Sequence, residues 1–154
     1  MILSPLQTAA ALLALGYFAK KRAGAQPQAY RAGKPINVTL VQVDADGHLL
    51  NEAAATDFFR MRGAASAVGI ELVVDSAFRT MEEQTGLWLQ LLNGERTDTV
   101  AEPGYSNHQS GDAVDLKTGR GTNDAYRWLV SNAHLFNFKA TVPSEPWHWE
   151  HSHG

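Results

Sequence analysis

The chain contains no cysteine among its 154 residues. Disulfide frameworks, thiolate nucleophiles and Cys-based zinc clusters are excluded, so a bound metal must be held by His and carboxylate. Positive charge is also scarce: 13 Lys and Arg stand against 16 Asp and Glu, a formal net charge of −3. That balance gives no electrostatic footprint for nucleic acid, and none is expected as a partner. No internal repeat or low-complexity tract occurs, and the helical His-Glu-x-x-His zinc signature is missing. Long apolar runs are almost absent. The exception is the uncharged stretch from Met1 to Ala19, which is diluted by Ser4, Pro5, Gln7, Thr8 and several Ala. Its length would just span a bilayer. Lys20-Lys21-Arg22 follow it, whereas a secretory signal carries its positive charges before the apolar run. Residues 1–22 are therefore expected to be either a hydrophobic anchor in contact with a membrane or a soluble accessory helix. Residues 23–35, with Pro27, Gly33 and Pro35, read as a linker. The remaining residues, 36–154, are enough for one domain with a core of its own.

The domain alternates between strand and helix signals. Ile36–Val43 is β-branched and alternating, a strand, and Asp44-Ala-Asp-Gly47 is a turn. Glu52–Val68 reads as a helix with Asn51 as N-cap and Gly69 as stop. Ile70–Val74 reads as a buried strand. Thr80-Met-Glu-Glu83 is a capping box, so a helix runs to about Leu92 and ends at Gly94. Residues 95–111 form a long loop, and long loops in small domains are often functional. A strand over 112–117, a helix over 123–133 and strands at 138–142 and 147–150 complete the order. The expected class is α+β, a small and mainly antiparallel sheet with helices on one face.

The chemistry concentrates in two stretches. Ser106-Asn-His108-Gln-Ser-Gly111-Asp-Ala113-Val-Asp115 is followed 30 residues later by Glu145-Pro-Trp147-His148-Trp149-Glu150. Together they offer two imidazoles and a carboxylate for one metal, and a further carboxylate three residues before the last imidazole. A catalytic zinc site needs that inventory: three protein ligands, an open position and a base. On a strand, Ala113 and Asp115 share one face while Val114 and Leu116 share the other. Asp112 would point with the second pair, which favours Asp115 as ligand. Gly111 is expected to let the backbone pass close to the metal. Glu145 and Glu150 compete for the role of base.

The pattern Ser-x-His-x-x-Gly-x-Ala-x-Asp with a later Glu-x-Trp-His resembles the zinc D-Ala-D-Ala carboxypeptidases of the VanY type. Their wider group includes VanX-type dipeptidases, phage L-Ala-D-Glu endopeptidases, lysostaphin-type enzymes and the hedgehog domain. Asp75-Ser-Ala-Phe-Arg79-Thr with Gln84 downstream resembles the family's Ser-Gly-Tyr-Arg-Ser segment, although Phe78 stands where a Tyr is usual. The resemblance implies His108, Asp115 and His148 as ligands of Zn2+, Glu145 as general base and Arg79 as stabiliser of the developing oxyanion. It implies Gln84 and Ser106 as contacts to the substrate near its terminal carboxylate. The implied fold is that of the hedgehog and D-Ala-D-Ala peptidase group. The implied activity is a zinc-dependent D,D-carboxypeptidase acting on peptidoglycan stem peptides as a monomer in the cell envelope. The alternatives are a phage-type L-alanyl-D-glutamate endopeptidase, cytoplasmic until lysis, and a non-catalytic zinc-containing binding module. Retention of Glu145 and Arg79 argues against the last.

Other candidates have plainer readings. His48 follows a turn and His134 sits near a helix end, and both are expected to be non-ligands. His151 and His153 are placed in a flexible polar tail. Trp147 and Trp149 are expected to pack.

Overall fold

The computed structural model describes residues 26–152. The readings made for residues 1–22 and for His153 fall outside them. Local chemistry accounts for the helices. Asn51 stands in extended conformation, and its side chain accepts the Ala54 amide at 3.0 Å, opening α1 (Glu52–Ser66). Gly69 follows at φ +77, a left-handed exit. Thr80 and Glu83 exchange side-chain and backbone hydrogen bonds in a full capping box ahead of α2 (Met81–Leu92). Asn123 accepts the Tyr126 amide to open α3 (Asp124–Asn132), which runs on into a 3₁₀ turn at Ala133–Phe136.

Three groups of strands surround these helices. β1 (Ala29–Arg31) and β2 (Lys34–Ile36) form an antiparallel hairpin. Residues 26–35, read from the sequence as the end of a linker, are thus part of the packed fold. β3 (Leu40–Gln42) and β4 (Leu49–Asn51) pair across the Asp44–Gly47 turn and lead directly into α1. The expected strand over 36–43 therefore splits between two hairpins. The main sheet has four antiparallel strands in the order β5 (Val74–Ser76), β6 (Ala113–Leu116), β8 (His148–His151), β7 (Phe138–Lys139). β5 begins where the sequence reading ends its strand, at Val74 rather than Ile70.

The core lies on one face of this sheet. Val74, Val114, Leu116, Phe138 and Trp149 cluster there with Ala54, Phe58 and Met61 of α1 and Ala125 and Leu129 of α3. Trp149 is buried, as expected of a packing residue. His151 ends β8 on this same face. Its Nε2 lies 3.0 Å from Asp57 on α1, and its ring meets Phe138 edge-on at 5.2 Å. It is a buried structural residue, not part of a flexible tail, because β7 pairs with β8 to its last residue and holds it. α2 stands apart: its only buried side chain is Gln84. Among the described residues no helix is long and apolar enough to cross a membrane.

Candidate active site

Register assembles the site on the opposite face of the sheet. In the β6–β8 pair, Asp115 lies across from His148 and Ala113 from Glu150. Side chains alternate, so Asp115, His148 and Glu150 emerge together while Val114, Leu116 and Trp149 enter the core. The spacing of Glu145 and His148 has a local cause as well. The His148 amide donates to the Glu145 carbonyl at 2.9 Å, closing a turn with Pro146 in its second position. That turn delivers Glu145 and His148 to the same cleft.

Two loops supply the rest. On β5 the register shifts between Val74 and Ser76, a bulge that turns the chain into the Ala77–Thr80 loop. This loop and the Ser106–Gln109 loop brace each other. The Arg79 amide donates to the His108 carbonyl at 3.1 Å, and His108 Nδ1 donates to the Ala77 carbonyl at 2.7 Å. Gly111 has a different role from the one expected. It sits at φ +76, and a Cβ there would come within 2.7 Å of the Asn51 amide nitrogen. Its close approach is to the start of α1, not to the metal position.

His108 Nε2, His148 Nδ1 and Asp115 Oδ1 form a triangle with edges of 3.3, 2.9 and 3.3 Å. Tetrahedral ligands held about 2.0–2.1 Å from one ion would be roughly 3.3 Å apart. The donor chemistry fits too. The Ala77 carbonyl accepts only, so it fixes the proton of His108 on Nδ1 and turns the Nε2 lone pair inward. The Glu150 carboxylate, 2.9 Å from His148 Nε2, does the same for His148 and leaves Nδ1 facing the triangle. Two lone pairs and a carboxylate thus converge on one point, an arrangement that calls for a cation. A proton on His148 competes for the same place, since a carboxylate flanks each of its ring nitrogens. Burial opposes charge on His148, but hydrogen bonds to Asp115 and Glu150 outweigh burial and push it up to about 9. Burial pushes His108 the other way, below its ordinary value, despite Asp115. The two rings flank the same carboxylate and shift oppositely: His108 is the more deeply buried and faces the charges of Arg79 and His148, whereas His148 has Glu150 as a second acidic partner. Asp115 is held well below the usual carboxylate range, since both imidazoles overcome its burial.

Arg79 shares Asp115 with the triangle. Its guanidinium reaches Asp115 Oδ2 and the Gln84 amide oxygen, each at 3.2 Å, and Ser76 Oγ at 3.4 Å. Burial depresses its pKa, while Asp115 and Glu145 favour the charge. Gln84 is 1% exposed and uses both ends of its amide internally, the nitrogen donating to the Ala101 carbonyl at 2.7 Å. It lines the cleft and ties Arg79 to the loop through these two hydrogen bonds. Ser106 lines the cleft with its Oγ accepting from the His108 amide at 3.3 Å. Glu150 is drawn down to about 2 by its bond to His148, against its burial. It is committed to the ring, which sets it apart from Glu145, although both line the cleft.

The cleft holds about 430 Å³ and is lined also by Asp75, Arg96, Asp98, Tyr105, Asn107 and Trp147. Sequence reasoning missed the supports. The Ala77 carbonyl leaves no trace in a side-chain pattern. Glu150 was read only as a competing base, and Asn107, which hydrogen-bonds it, was not singled out. His48 pairs with Asp44 at 2.6 Å, far along the chain from the cleft residues, and His134 lies in the 3₁₀ turn.

The family model for VanY, described as D-alanyl-D-alanine carboxypeptidase, matches residues 47–154. A D-alanyl-D-alanine carboxypeptidase of Enterococcus faecalis (strain ATCC 700802 / V583) is 32% identical over 57% of this chain and 42% of its own length. The putative carboxypeptidase YodJ of Bacillus subtilis (strain 168) is 30% identical over 64% of this chain and 45% of its own. The chain thus spans less than half the length of these curated relatives. Among solved structures, VanYB in complex with D-Ala-D-Ala superposes with a TM-score of 0.65 at 27% identity, covering 80% of this chain and 84% of that one. A mutant of the D,D-pentapeptidase VanY from a VanB-type resistance cassette, in complex with Zn(II), gives 0.64 at 27% identity, with 80% and 85% covered. Sequence, fold and site geometry agree, and the chain belongs to the VanY family of D-alanyl-D-alanine carboxypeptidases.

Proposed function

We propose that this chain is a zinc-dependent D,D-carboxypeptidase that removes the terminal D-Ala from peptidoglycan stem peptides. The carrying observation is the inward-facing triangle of His108, His148 and Asp115, set in one cleft with Glu145 and Arg79. The relatives support the substrate class: a curated relative carries that activity in its name, and a superposing structure binds D-Ala-D-Ala.

His108, Asp115 and His148 hold the metal in this reading. Zinc, when bound, supplies Lewis acidity and activates water at neutral pH. Glu145 accepts a proton from the attacking water and passes it to the departing D-Ala amine. Arg79 meets the negative charge that develops on the scissile carbonyl oxygen, and its bond to Asp115 keeps it oriented before substrate arrives. Gln84 holds Arg79 from the other side, and Ser106 offers a hydroxyl to the peptide's terminal carboxylate. A peptidoglycan substrate lies in the cell envelope, so the enzyme acts there.

The test is digestion of purified muropeptides by zinc-loaded protein, followed by mass spectrometry. Loss of one D-Ala from pentapeptide stems, abolished by chelation and restored by zinc, is the expected result. A cut next to the sugar-linked L-Ala, or no cleavage at all, overturns the proposal.

A further inference from the structure

The hairpin β1–β2 lies outside the region matched by the family model, yet it is fastened to the loop that carries Ser106 and His108. Three contacts make the joint. The Tyr30 amide donates to the Gln109 carbonyl at 2.9 Å, and the Gly33 amide donates to the Gly104 carbonyl at 3.0 Å. Arg31 Nη2 donates to Asp112 Oδ2 at 2.8 Å. Asp112 is buried and also accepts from Ser110 Oγ at 2.5 Å and from the Asn51 side chain, so Arg31 ties into the start of α1. The hairpin therefore grips the loop on both sides of His108.

The grip is closest at its tip. Ala32 and Gly33 both have positive φ, at 49° and 75°, a turn whose twist matches the flanking strands but suits Ala poorly. A Cβ added at Gly33 would come within 2.7 Å of the Tyr105 hydroxyl and 2.9 Å of its ring carbon. One added at Gly104 would meet the Gly33 Cα at 3.1 Å. The tip is thus seated directly against Gly104 and the Tyr105 ring. Among the described residues Tyr105 is the only tyrosine lining the cleft, where the nearby Ser106 and His108 also face.

We propose that the hairpin is a substrate-positioning strap: Gly33 seats Tyr105 as a wall of the cleft, and Arg31 fixes the far end of the same loop through Asp112. This rests on the reading of the cleft as a D,D-carboxypeptidase site. Gly33 and Arg31 are positioning residues, since neither lines the cleft, and they act on peptide placement rather than on the metal. Asp115 and His148 are placed by the β6–β8 register, and His108 has the Ala77 brace besides the gripped loop, so the metal set has supports that the hairpin does not supply.

The experiment uses the full zinc-loaded chain and a peptide ending in D-Ala-D-Ala. Gly33→Ala should raise KM by about tenfold, the scale at which small misplacements of a bound substrate act, with kcat within about twofold and one zinc per chain retained. In a Tyr105→Ala background the same change should have little further effect, because its route to the substrate has been removed. Arg31→Gln, which adds no backbone strain, should move KM in the same direction and decides the matter should Gly33→Ala fail to fold. Unchanged KM in both variants would overturn the strap. So would an equal Gly33→Ala effect with and without Tyr105, or loss of zinc in step with activity, since each makes the hairpin a general support. A wild-type chain that leaves the peptide intact would sink the functional reading instead, and is distinguished by that control.

Discussion

The two faces of the four-stranded sheet are built from the same residues in alternation, and they have opposite physical characters. Along β6, Asp115 faces the cleft while Val114 and Leu116 face the core; along β8, His148 and Glu150 face the cleft while Trp149 and His151 face the core. The core face is stabilised by apolar burial beneath α1 and α3. The cleft face gathers buried ionisable groups whose mutual desolvation works against folding unless a cation joins them. A one-residue slip of β6 against β8 would exchange the two sets, so the packing of Val114 and Trp149 is what holds Asp115 and His148, the proposed ligands, in register. Substitutions on one face should therefore damage chemistry and spare stability, and those on the other should do the reverse.

The sharpest break of that division is at a ligand. His108→Ala should abolish hydrolysis and reduce zinc content well below one per chain, while the metal-free proteins melt within a few degrees of each other. Metal analysis of a variant that keeps full zinc would remove His108 from the ligand set. Next comes Glu145→Gln, which preserves shape and removes the proton acceptor. A loss of roughly 10²–10⁴ in kcat with zinc retained is expected. Near wild-type kcat there, with the loss appearing in Glu150→Gln, would move the base to Glu150. On the other face, Trp149→Ala should destabilise by about 3–5 kcal/mol in denaturant unfolding. Activity per folded molecule should fall only as far as the register loosens.

Much of this division was legible in the chain. The helix starts at Asn51, Thr80 and Asn123 are local hydrogen-bond chemistry, which sequence shows directly. The alternation in Ala113–Leu116 separates ligand from core before any partner strand is known. The pairing of Asp115 with His148 is a long-range register and has no local signature. The β1–β2 hairpin was hidden by its own composition. Pro27, Gly33 and Pro35 suggest a linker, and its turn places Ala32 where Asn or Gly usually announces a tight hairpin. His151 was misplaced because closeness to the chain end says nothing of pairing, and it is pairing with β7 that buries it. For Gln84 the resemblance implies a substrate contact, and its bond to Arg79 has no signature in the pattern. The Ala101 carbonyl that fixes its other end lies across a loop no pattern could place.

Arg79→Lys should lower kcat/KM by about tenfold or more, because lysine keeps the charge but not the fork that reaches Asp115, Gln84 and Ser76 together. Zinc content and melting temperature should hold. An unchanged kcat/KM would reduce Arg79 to a support for Asp115.

The smallest expected effect lies at an ionisable pair on the core face. Asp57 faces His151 at 3.0 Å, with Asn137 and Arg60 each at 2.7 Å. Burial would raise its carboxyl, but hydrogen bonds from His151, Asn137 and Arg60 outweigh burial and hold it below its ordinary value. A carboxyl depressed on folding contributes stability that is fully present above its unfolded value, about 3.9, and is lost as pH falls through the folded value. Asp57→Asn should therefore lower the melting temperature near neutral pH, and the gap to wild type should close below about pH 4. The comparison belongs on metal-free protein, where protonation of the cleft-face ligands is common to both chains. A gap that stays constant from neutral pH to pH 3 would show that Asp57 acts through packing alone. The core face would then hold no charge-dependent stability at His151.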